Sequence, residues 1–354
     1  MCMQLGGYAN MLCVLIMAGG IGSRFWPQST PEKPKQFLKL LGDRTMIQMT
    51  YDRMNKLVPS ENIFIVTNSH YIDLVKEQLP DIKDINIITE PCSRNTAPCI
   101  LLSSLYIRNL YKESNIICVS SDSYIGNEER FLEIIKEANE FINKEKKAIV
   151  TLGITPTRPE TGYGYIKYEK GDSTPNKVIK FVEKPNIEVA KEYLSSKEYL
   201  WNAGMFIFNS SSMLDELKEF LPNEYNLLKD LPSSTDKDYT KFLESNYEKC
   251  EKISIDYAVM EKSSNVYAIP SDIGWDDVGS WKALERYLTK LENGNECNDS
   301  NVVFLNSNNC IVYGLNKKIV LFDVNDLLVT EGQDVIIVTK KENIDNIYQL
   351  TKDL

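Results

Sequence analysis

The stretch that decides the fold is glycine-rich and reads Ala18-Gly19-Gly20-Ile21-Gly22-Ser23-Arg24, directly after the apolar run Leu12 to Met17. In an open parallel sheet, ligands bind in the crevice at the carboxyl ends of the strands. Glycines at such a strand end let backbone N–H groups approach phosphate oxygens closely. The stretch therefore predicts a phosphate-binding loop that follows the first strand of a parallel sheet.

The residues around this loop separate it from two common phosphate-binding loops. A Walker loop is excluded because no Gly-Lys-Ser or Gly-Lys-Thr ends the run, and Phe25 stands where a dinucleotide-binding loop has its third glycine. Downstream, Lys35 joins Arg24, and their fixed positive charges suit a leaving pyrophosphate. The plainer alternative is that these cations, with Lys33 and Lys39, belong to a solvated charged loop.

Short apolar runs alternate with amphipathic stretches over the first 152 residues. The runs predict strands at Leu12 to Met17, Ile63 to Thr67, Ile85 to Thr89, Ile116 to Ser120 and Ala148 to Leu152. The amphipathic stretches predict helices at Met46 to Leu57, Tyr71 to Leu79, Ala97 to Leu110 and Glu128 to Asn143. Alternation of this kind predicts an α/β fold with a parallel sheet covered on both faces.

The pattern changes after residue 152. Tyr163 to Tyr168, Lys177 to Val182 and Met205 to Phe208 predict strands of an antiparallel substrate-binding insertion. Beyond residue 300, short apolar runs separated by polar turns predict an all-β module coiled as a small β-helix. We therefore expect a flexible N-terminal extension at 1–10, a catalytic domain at 11–291 and a β-helix-like domain at 300–354.

Composition and charge exclude several classes of protein. The 354 residues carry a formal net charge of -10, which argues against nucleic acid as a partner because such binding needs a broad basic surface. No apolar stretch approaches the roughly 20 residues of a membrane-spanning helix, so no membrane partner is expected. The eight cysteines form no Cys-x-x-Cys pair, and the single histidine, His70, argues against a histidine-based metal site. These features predict a cytoplasmic protein with free thiols.

Four further motifs accompany the glycine-rich loop and Pro34-Lys35. They are Glu90-Pro91-Cys92-Ser93-Arg94-Asn95-Thr96-Ala97-Pro98, Phe181-Val182-Glu183-Lys184-Pro185, Trp201-Asn202-Ala203-Gly204-Met205-Phe206 and Gly274-Trp275-Asp276-Asp277-Val278-Gly279-Ser280-Trp281. The set spans about Met11 to Tyr287 and resembles the sugar-1-phosphate nucleotidyltransferases. The Arg-Asn-Thr-Ala-Pro and Asp-Val-Gly-Ser-Trp runs favour the mannose-1-phosphate guanylyltransferase branch over the thymidylyl and uridylyl branches. This resemblance implies a Rossmann-like, GT-A-like nucleotidyltransferase domain with a mixed, mostly parallel sheet, followed by the small β-helix-like domain.

The resemblance also implies a role for each matching residue. The implied nucleotide-binding residues are Gly19, Gly20, Gly22, Ser23, Arg24, Lys35, Glu90, Arg94, Asn95, Thr96, Ser121 and Asp122. The implied substrate-binding residues are Gly162, Tyr163, Gly164, Glu183, Lys184, Asn202 and Asp277. Among them Arg24, Lys35 and Lys184 are the catalytic cations: the first two contact the triphosphate and the third grips the sugar phosphate. Glu183 and Asn202 bind sugar hydroxyls.

The resemblance further implies a divalent metal, Mg²⁺ or Mn²⁺, held by Asp122 and Asp277. Two carboxylates suit Mg²⁺, which prefers hard oxygen ligands and takes the rest of its shell from phosphates and water. Ser123 follows Asp122 where the family commonly has a histidine, which is a departure from the pattern. Asp276 is the rival of Asp277, and the two remain alternatives at this point.

The implied reaction is the transfer of GMP from GTP to mannose 1-phosphate. The sugar phosphate is already an anion at neutral pH and attacks the α-phosphorus directly, so no histidine base is required. Two alternatives stay open: the same chemistry on another sugar 1-phosphate and nucleotide pair, and a non-catalytic subunit that senses nucleotide sugars. The resemblance also implies a homodimer formed through the C-terminal module, whose apolar strand edges would otherwise be exposed.

Overall fold

A computed structural model describes residues 11–20, 22–171, 174–298, 301–314 and 317–352. The N-terminal extension predicted at residues 1–10 lies outside the described residues. The chain forms two compact units. The first unit comprises the residues up to Gly19, Thr50–Ser121 and Ile125–Trp275, and the second comprises Gly20–Met49, Asp122–Tyr124 and the chain from Asp276 onward. These units differ from a division at 11–291 and 300–354, because the second unit adds earlier segments to the C-terminal strands.

The strands of the described residues run from the first apolar stretch to the tail. They are β1 Met11–Met17, β2 Ile63–Asn68, β3 Ile87–Glu90, β4 Ser114–Ser120, β5 Tyr124–Ile125, β6 Ile149–Ile154, β7 Tyr165–Tyr168, β8 Asn176–Val182, β9 Tyr199–Asn209, β10 Val266–Pro270, β11 Trp275–Asp276, β12 Thr289–Lys290, β13 Glu296–Cys297, β14 Val302–Leu305, β15 Ile311–Tyr313, β16 Ile319–Phe322, β17 Leu327–Glu331 and β18 Ile336–Lys340.

The α-helices precede the C-terminal strands. They are α1 Met46–Asn55, α2 Ile72–Gln78, α3 Thr96–Tyr111, α4 Glu128–Lys144, α5 Ile187–Ser196, α6 Ser210–Phe220, α7 Pro222–Leu228, α8 Tyr239–Asn246 and α9 Trp281–Leu284. A π-helical turn spans Asp256–Met260, and a 3-10 helix follows the last strand at Lys341–Lys352.

The first unit contains a mixed sheet of nine strands in the order β3-β2-β1-β4-β9-β6-β10-β8-β7. Parallel pairing joins β1 to β2 and β4, β2 to β3, and β6 to β10. Antiparallel pairing joins β9 to β4, β6 and β7, and joins β8 to β7 and β10. The α/β class and the mixed sheet implied by the resemblance are confirmed.

Strand β1 is completely buried over Cys13, Val14, Leu15 and Ile16. A short run of this kind is typical of a strand covered on both faces, which explains why the sequence showed no polar alternation there. Helix α4 instead buries one stripe at helical spacing, formed by Phe131, Ile134, Ile135, Ala138 and Ile142. Its start is fixed by Asn127, whose side chain accepts a hydrogen bond from the Arg130 N–H.

The strands predicted before residue 152 are confirmed as β1, β2, β3, β4 and β6, and the helices as α1 to α4. The predicted hairpin is also present as β7 and β8, which pair antiparallel. The antiparallel strands are present as predicted, but they are not confined to a hairpin. They extend the main sheet, because β7 also pairs with β9 and β8 pairs with β10. Such pairings join segments far apart in sequence, and hydrophobic periodicity carries no information about them.

Two parallel strand pairs of the second unit, β14–β16 and β15–β17, have partners 17 residues apart. Val302 pairs in parallel with Ile319, and the Asn308 amide donates to Asn325 Oδ1 at 2.7 Å across the same interval of 17 residues. Strand β15 pairs in parallel with β13 and β17. Left-handed turn residues recur at this spacing, since Asn309 and Asp326 both have positive φ, which short polar side chains tolerate. The predicted β-helix-like module is confirmed.

Exposed apolar side chains collect on β14, β16 and β18. Leu305 and Phe322 are register partners and are 50% and 64% exposed. Val320, Ile336 and Val338 are exposed to a similar extent. We call these five residues the apolar patch. It lies on strands, and within the described ranges no helix has the length and apolar character needed to cross a membrane.

Candidate active site

The glycine-rich loop packs tightly against Lys35 within the second unit. Gly22 has a φ of 59°, in the left-handed region that favours glycine. A Cβ placed on Gly22 would lie 3.0 Å from the Lys35 backbone nitrogen and closer still to Lys35 Cβ. Glycine is therefore required at this position by both backbone conformation and space. The contact places Gly22 directly beside the backbone of the buried Lys35.

The ammonium group of Lys35 joins the two aspartates that the sequence nominated as metal ligands. Lys35 Nζ lies 2.9 Å from Asp122 Oδ2 and donates to the backbone oxygens of Asp122 and Asp277, at 3.0 and 2.6 Å. The Lys35 side chain is only 5% exposed, whereas that of Asp122 is 34% exposed. An ammonium has three donors, and here all three point to protein oxygens. Direct contact of Lys35 with a phosphate would therefore replace one of these bonds.

The structure distinguishes Asp276 from its neighbour Asp277. Asp276 is buried, and its Oδ2 accepts hydrogen bonds from Arg286 and from the Tyr287 hydroxyl, the latter at 3.0 Å. Its Oδ1 accepts the Val278 N–H at 2.8 Å. Both carboxylate oxygens of Asp276 are thus committed to the protein. Asp276 serves the local structure, and Asp277 is the better candidate for a metal ligand.

The backbone around Asp277 is held in an unusual conformation. Val278 is buried with a φ of 42°, which is rare for a β-branched residue and costs conformational energy. The hydrogen bond that the Val278 N–H donates to Asp276 Oδ1 stabilises this turn. Gly279 then passes so close to Asp277 that a Cβ on it would overlap Asp277 Oδ2 and lie 3.3 Å from Arg24 Nη1. The exposed Arg24 and the Asp277 carboxylate therefore approach the same small volume.

The two aspartates fit a hard divalent cation that is shared with phosphate oxygens. Asp122 is partly exposed beside Lys35, and both carboxylates are oxygen donors of the kind that Mg²⁺ prefers. Within the described residues, no group of three or more His, Cys, Asp or Glu side chains is placed to bind a metal. A site with two protein carboxylates is the pattern expected where Mg²⁺ takes its other ligands from phosphate and water.

The second cluster of predicted residues lies in the first unit, at the end of β8. Lys184 Nζ pairs with Glu183 Oε1 at 2.6 Å, and the lysine side chain is 54% exposed while the glutamate side chain is 7% exposed. Burial alone would lower the pKa of Lys184, but the hydrogen bond and charge of Glu183 raise it above its ordinary value. Lys184 is therefore a fully charged, accessible ammonium held by one carboxylate.

Asn202 on β9 belongs to the same cluster. Its Nδ2 donates to Asp256 Oδ1 at 3.0 Å, and its Oδ1 accepts the Gly204 N–H at 3.2 Å and lies 2.9 Å from the Thr151 hydroxyl. Burial, followed by the charge of Glu183, raises the pKa of Asp256 to about 7. The buried Asn202 amide is thus held at both ends by protein groups.

The turn before β7 supports this cluster through its backbone. The Tyr163 carbonyl accepts the Lys184 N–H at 3.2 Å, and the Gly164 carbonyl accepts the Asn202 N–H at 2.8 Å. A Cβ on Gly164 would lie 2.6 Å from Glu183 Oε2, so glycine gives that carboxylate its space. Gly162 donates its N–H to Glu160 Oε1 at 3.2 Å.

Three of the residues implied for nucleotide binding, Gly19, Glu90 and Ser121, lie in the first unit. Glu90 at the end of β3 is buried, and the Tyr247 hydroxyl donates to its Oε1 at 2.5 Å. Burial raises the pKa of Glu90 to about 7. A Cβ on Gly19 would lie 3.0 Å from Glu90 Oε2, so the loop glycine borders this carboxyl. The Ser121 N–H is already bound to the Met17 carbonyl at 3.0 Å.

The segment Arg94–Thr96 begins helix α3 and contacts a distant part of the first unit. Arg94 donates to the Glu248 carbonyl, and the Thr96 hydroxyl accepts the Ile255 N–H at 2.8 Å. Asn95 has a φ of 67° and accepts the Thr96 N–H at 2.8 Å. These bonds give the three residues structural partners in addition to any nucleotide contact.

Known proteins with similar sequences identify the family of this chain. A family model described as nucleotidyl transferase matches residues 13–294. Mannose-1-phosphate guanylyltransferase 2 of Escherichia coli O157:H7 is 37% identical over 359 residues, covering 97% of this chain and 73% of that protein. The mannose-1-phosphate guanylyltransferase of Salmonella montevideo is 38% identical, covering 97% and 74%. The chain belongs to the mannose-1-phosphate guanylyltransferase family.

The fold of this guanylyltransferase family member also has a close match among solved structures. A crystal structure described as mannose-1-phosphate geranyltransferase from Thermus thermophilus superposes with a TM-score of 0.86 at 31% identity. The match covers 97% of this chain and 98% of that chain, so it includes the C-terminal strands as well as the main sheet. The enzyme class and fold expected from the sequence are confirmed.

Most of the predicted site residues of this chain lie in one of three clusters. The second unit holds Gly22, Arg24, Lys35, Asp122 and Asp277, and the first unit holds Tyr163, Gly164, Glu183, Lys184 and Asn202, with Gly19 and Glu90 as a further pair. Gly20 has no neighbour within 4 Å of an added Cβ. The side chain of Ser23 lies outside the described residues.

Several residues that sequence reasoning missed complete the clusters of this guanylyltransferase. Asp256 holds Asn202, Glu261 Oε1 accepts the Glu183 N–H at 2.9 Å, and Tyr247 holds Glu90. Arg158 stacks on Trp201, with 5.0 Å between its Cζ and the ring centroid. Asp256 carried one signal in the sequence, since it is an acidic residue two positions before the buried apolar run Ala258–Met260.

Proposed function

We propose that the chain transfers GMP from GTP to mannose 1-phosphate and releases GDP-mannose and pyrophosphate. The observation that carries this proposal is that Asp122 and Asp277 both contact the Lys35 ammonium group, and Lys35 lies beside the glycine-rich loop. Such an arrangement suits a nucleoside triphosphate because it combines fixed positive charge with carboxylates for a hard cation. The names of the similar proteins supply the identity of the sugar and the base.

The proposed step is a direct displacement at the α-phosphorus of GTP. An oxygen of the sugar phosphate forms the new P–O bond, the bond to the β-phosphate bridging oxygen breaks, and pyrophosphate leaves with that electron pair. The attacking phosphate is already an anion, so the chain has no proton to remove. Its residues act by positioning and by charge stabilisation.

Each cluster has a separate task in this proposal. Lys184 leaves or shares its bond with Glu183 and holds the sugar phosphate, because its side chain is accessible and charged. Arg24 and Lys35 stabilise the negative charge that develops on pyrophosphate. Glu90 and Arg94–Thr96 line the site that binds the guanine base of GTP.

The metal ligands proposed are Asp122 and Asp277. Bound Mg²⁺, or Mn²⁺ in its place, would supply charge neutralisation on the phosphate oxygens. Lys35 keeps the two aspartates in position, since it bonds to the backbone oxygens of both.

A pyrophosphate-release assay tests the proposal. We expect turnover with GTP and mannose 1-phosphate that requires added Mg²⁺ or Mn²⁺, and much lower kcat/KM when UTP, dTTP or glucose 1-phosphate replaces its counterpart. Higher kcat/KM with another pair would reassign the substrates and keep the chemistry. Tight binding of GDP-mannose without turnover under any of these conditions would favour the sensing subunit instead.

We also propose that the chain forms a homodimer through the apolar patch. The patch is the support, because Phe322 and Val320 on β16 and Val338 on β18 are each more than half exposed. Light scattering at micromolar concentration should give twice the monomer mass of 40.5 kDa, and Phe322→Asp should give the monomer mass. A wild-type monomer at that concentration would exclude the dimer.

A further inference from the structure

The orientation of the Asn202 side chain is determined by two groups of opposite character. The Gly204 N–H, 3.2 Å from Oδ1, only donates, and Asp256 Oδ1, 3.0 Å from Nδ2, accepts from the amide. The oxygen and nitrogen ends of an amide have almost the same shape, so hydrogen-bond partners decide which way the group faces. Asp256 and Gly204 together fix this choice.

The third neighbour does not decide the orientation. The Thr151 hydroxyl lies 2.9 Å from Asn202 Oδ1 and 3.0 Å from the Met205 carbonyl. A hydroxyl has one hydrogen and two lone pairs, so Thr151 accommodates either end of the amide. Asp256 is therefore the partner that places nitrogen at the Nδ2 end.

Asp256 is itself anchored by the residues beside it. The preceding residue, Ile255, donates its N–H to the Thr96 hydroxyl at 2.8 Å, and the following turn is π-helical over Asp256–Met260. Ile255 is buried, as are Ala258 and Val259 on the same turn. The carboxylate is consequently carried on a rigid, packed segment of the first unit.

We propose that Asp256 is a positioning residue for the sugar phosphate: it orients the Asn202 amide so that the remaining Nδ2–H donates to a hydroxyl oxygen of the sugar. The inference rests on the proposed function, in which Asn202 binds the sugar. In the described part of the chain, no residue accepts that second N–H, while Oδ1 is occupied. Asn202 is therefore the hydrogen-bond donor in this contact, and the sugar hydroxyl oxygen is the acceptor.

Loss of the acceptor at position 256 has a defined consequence. The amide loses the charge-assisted bond that sets its orientation, and only the Gly204 N–H still favours Oδ1 at its present place. Bonds to charged groups are worth more than neutral ones, so the sugar contact should weaken by about tenfold or more. The nucleotide contacts are made by other residues and should be unaffected.

The test compares Asp256→Leu, which removes the acceptor at similar volume, with Asp256→Asn, which keeps an acceptor oxygen. We expect Asp256→Leu to raise KM for mannose 1-phosphate at least about tenfold, with KM for GTP within about twofold of wild type. Asp256→Asn should restore KM for the sugar phosphate to within about threefold. Asp215→Leu, at an exposed position of α6, is the matched control and should behave as wild type.

A double-mutant cycle with Asn202→Ala shows whether Asp256 acts through Asn202. The double variant Asp256→Leu/Asn202→Ala should have the same KM for mannose 1-phosphate as Asn202→Ala alone, because the positioned group is already absent. Additive effects, or equal rises in the KM values of both substrates, would overturn the inference. If Asp256→Leu gives no cooperative unfolding transition, Asp256→Ala replaces it in the cycle, and thermal melting is recorded for every variant.

The failure of this inference is distinguishable from failure of the proposed function. A wild-type protein that makes no GDP-mannose from GTP and mannose 1-phosphate would contradict the proposed function itself. A wild-type protein that makes it, together with a folded Asp256→Leu variant of normal KM, would contradict only the role of Asp256.

Discussion

The two lysines of the candidate site are held in opposite ways. Lys35, in the second unit, is 5% exposed in its side chain and directs all three donors to protein oxygens. Lys184, in the first unit, is 54% exposed and has a carboxylate partner in Glu183. A cation with three fixed bonds is preorganised and keeps its neighbours in place, whereas a cation with one bond exchanges it for an incoming anion. The difference is the basis on which we propose a scaffold role for Lys35 and a substrate-gripping role for Lys184.

The strongest test of this contrast lies beside Lys35. Asp277→Ala removes a proposed metal ligand and should lower kcat by on the order of 10²-fold or more. Asp276→Asn changes the neighbouring carboxylate that supports the Val278 turn and bonds Arg286, so it should lower the melting temperature more than it lowers kcat. Steady-state kinetics and thermal melting of both variants separate the two roles. Near-normal turnover in a folded Asp277→Ala protein would remove the metal assignment.

Lys184→Met provides the corresponding test in the first unit. Loss of the accessible ammonium should raise KM for mannose 1-phosphate by about 10- to 100-fold, the range expected for a lost hydrogen bond to a charged group. KM for GTP should stay within about threefold. Lys191→Met, an exposed lysine on α5, is the control. Equal changes in both KM values would contradict a separate sugar-phosphate role for Lys184.

Two glycines allow a matched comparison of the clusters, because each one borders a carboxylate. A Cβ on Gly279 would overlap Asp277 Oδ2, and a Cβ on Gly164 would lie 2.6 Å from Glu183 Oε2. Gly279→Ala should lower kcat by about tenfold, and Gly164→Ala should raise KM for mannose 1-phosphate several-fold, as displaced catalytic groups do. The two variants serve as controls for each other. The contrast between the clusters fails if both variants change the same kinetic constant.

The smallest effect concerns stability rather than turnover. Burial raises the pKa of Glu90 to about 7, from an ordinary value of 4.5. The folded state therefore holds the proton more tightly, so the contribution of Glu90 to stability is full below pH 4.5 and is lost as pH rises through about 7. Glu90→Gln removes this loss, which is at most about 3 kcal/mol.

Thermal melting between pH 5 and pH 8 measures the effect of Glu90→Gln. Relative to wild type, the variant should gain stability progressively as pH rises. Glu77→Gln, at an exposed position of α2, should melt in parallel with wild type at every pH. A constant difference between Glu90→Gln and wild type across this range would show that Glu90 does not titrate there.

Much of the fold was predictable from the sequence, because its signals are local. The apolar run of β1 and the helical stripe of α4 each lie within one continuous segment, and both were predicted at nearly the observed bounds. The tail was predictable for the same reason, since short apolar runs alternate with polar turns. The inclusion of β7 and β8 in the main sheet was not, because it depends on pairing with β9 and β10.

The candidate site was predictable as a set of residues but not as a set of contacts. Motif resemblance nominated both Asp276 and Asp277, and the choice between them depends on Arg286 and Tyr287, ten and eleven residues further on. No periodicity or motif indicated that Asp256 would reach Asn202, 54 residues away in sequence. The partners of a polar side chain are determined by tertiary packing, which a single sequence does not reveal.

The C-terminal strands set a rule for how this chain tolerates changes in length. The turns that join β14 to β16 and β15 to β17 each use 17 residues, so inward and outward side chains return to the same places only after a whole turn. An insertion of one complete turn would preserve every parallel pair above and below it. An insertion of a single residue would move apolar side chains from the interior to the surface. The repeated part of the tail is therefore expected to accept changes in length only in steps of a whole turn.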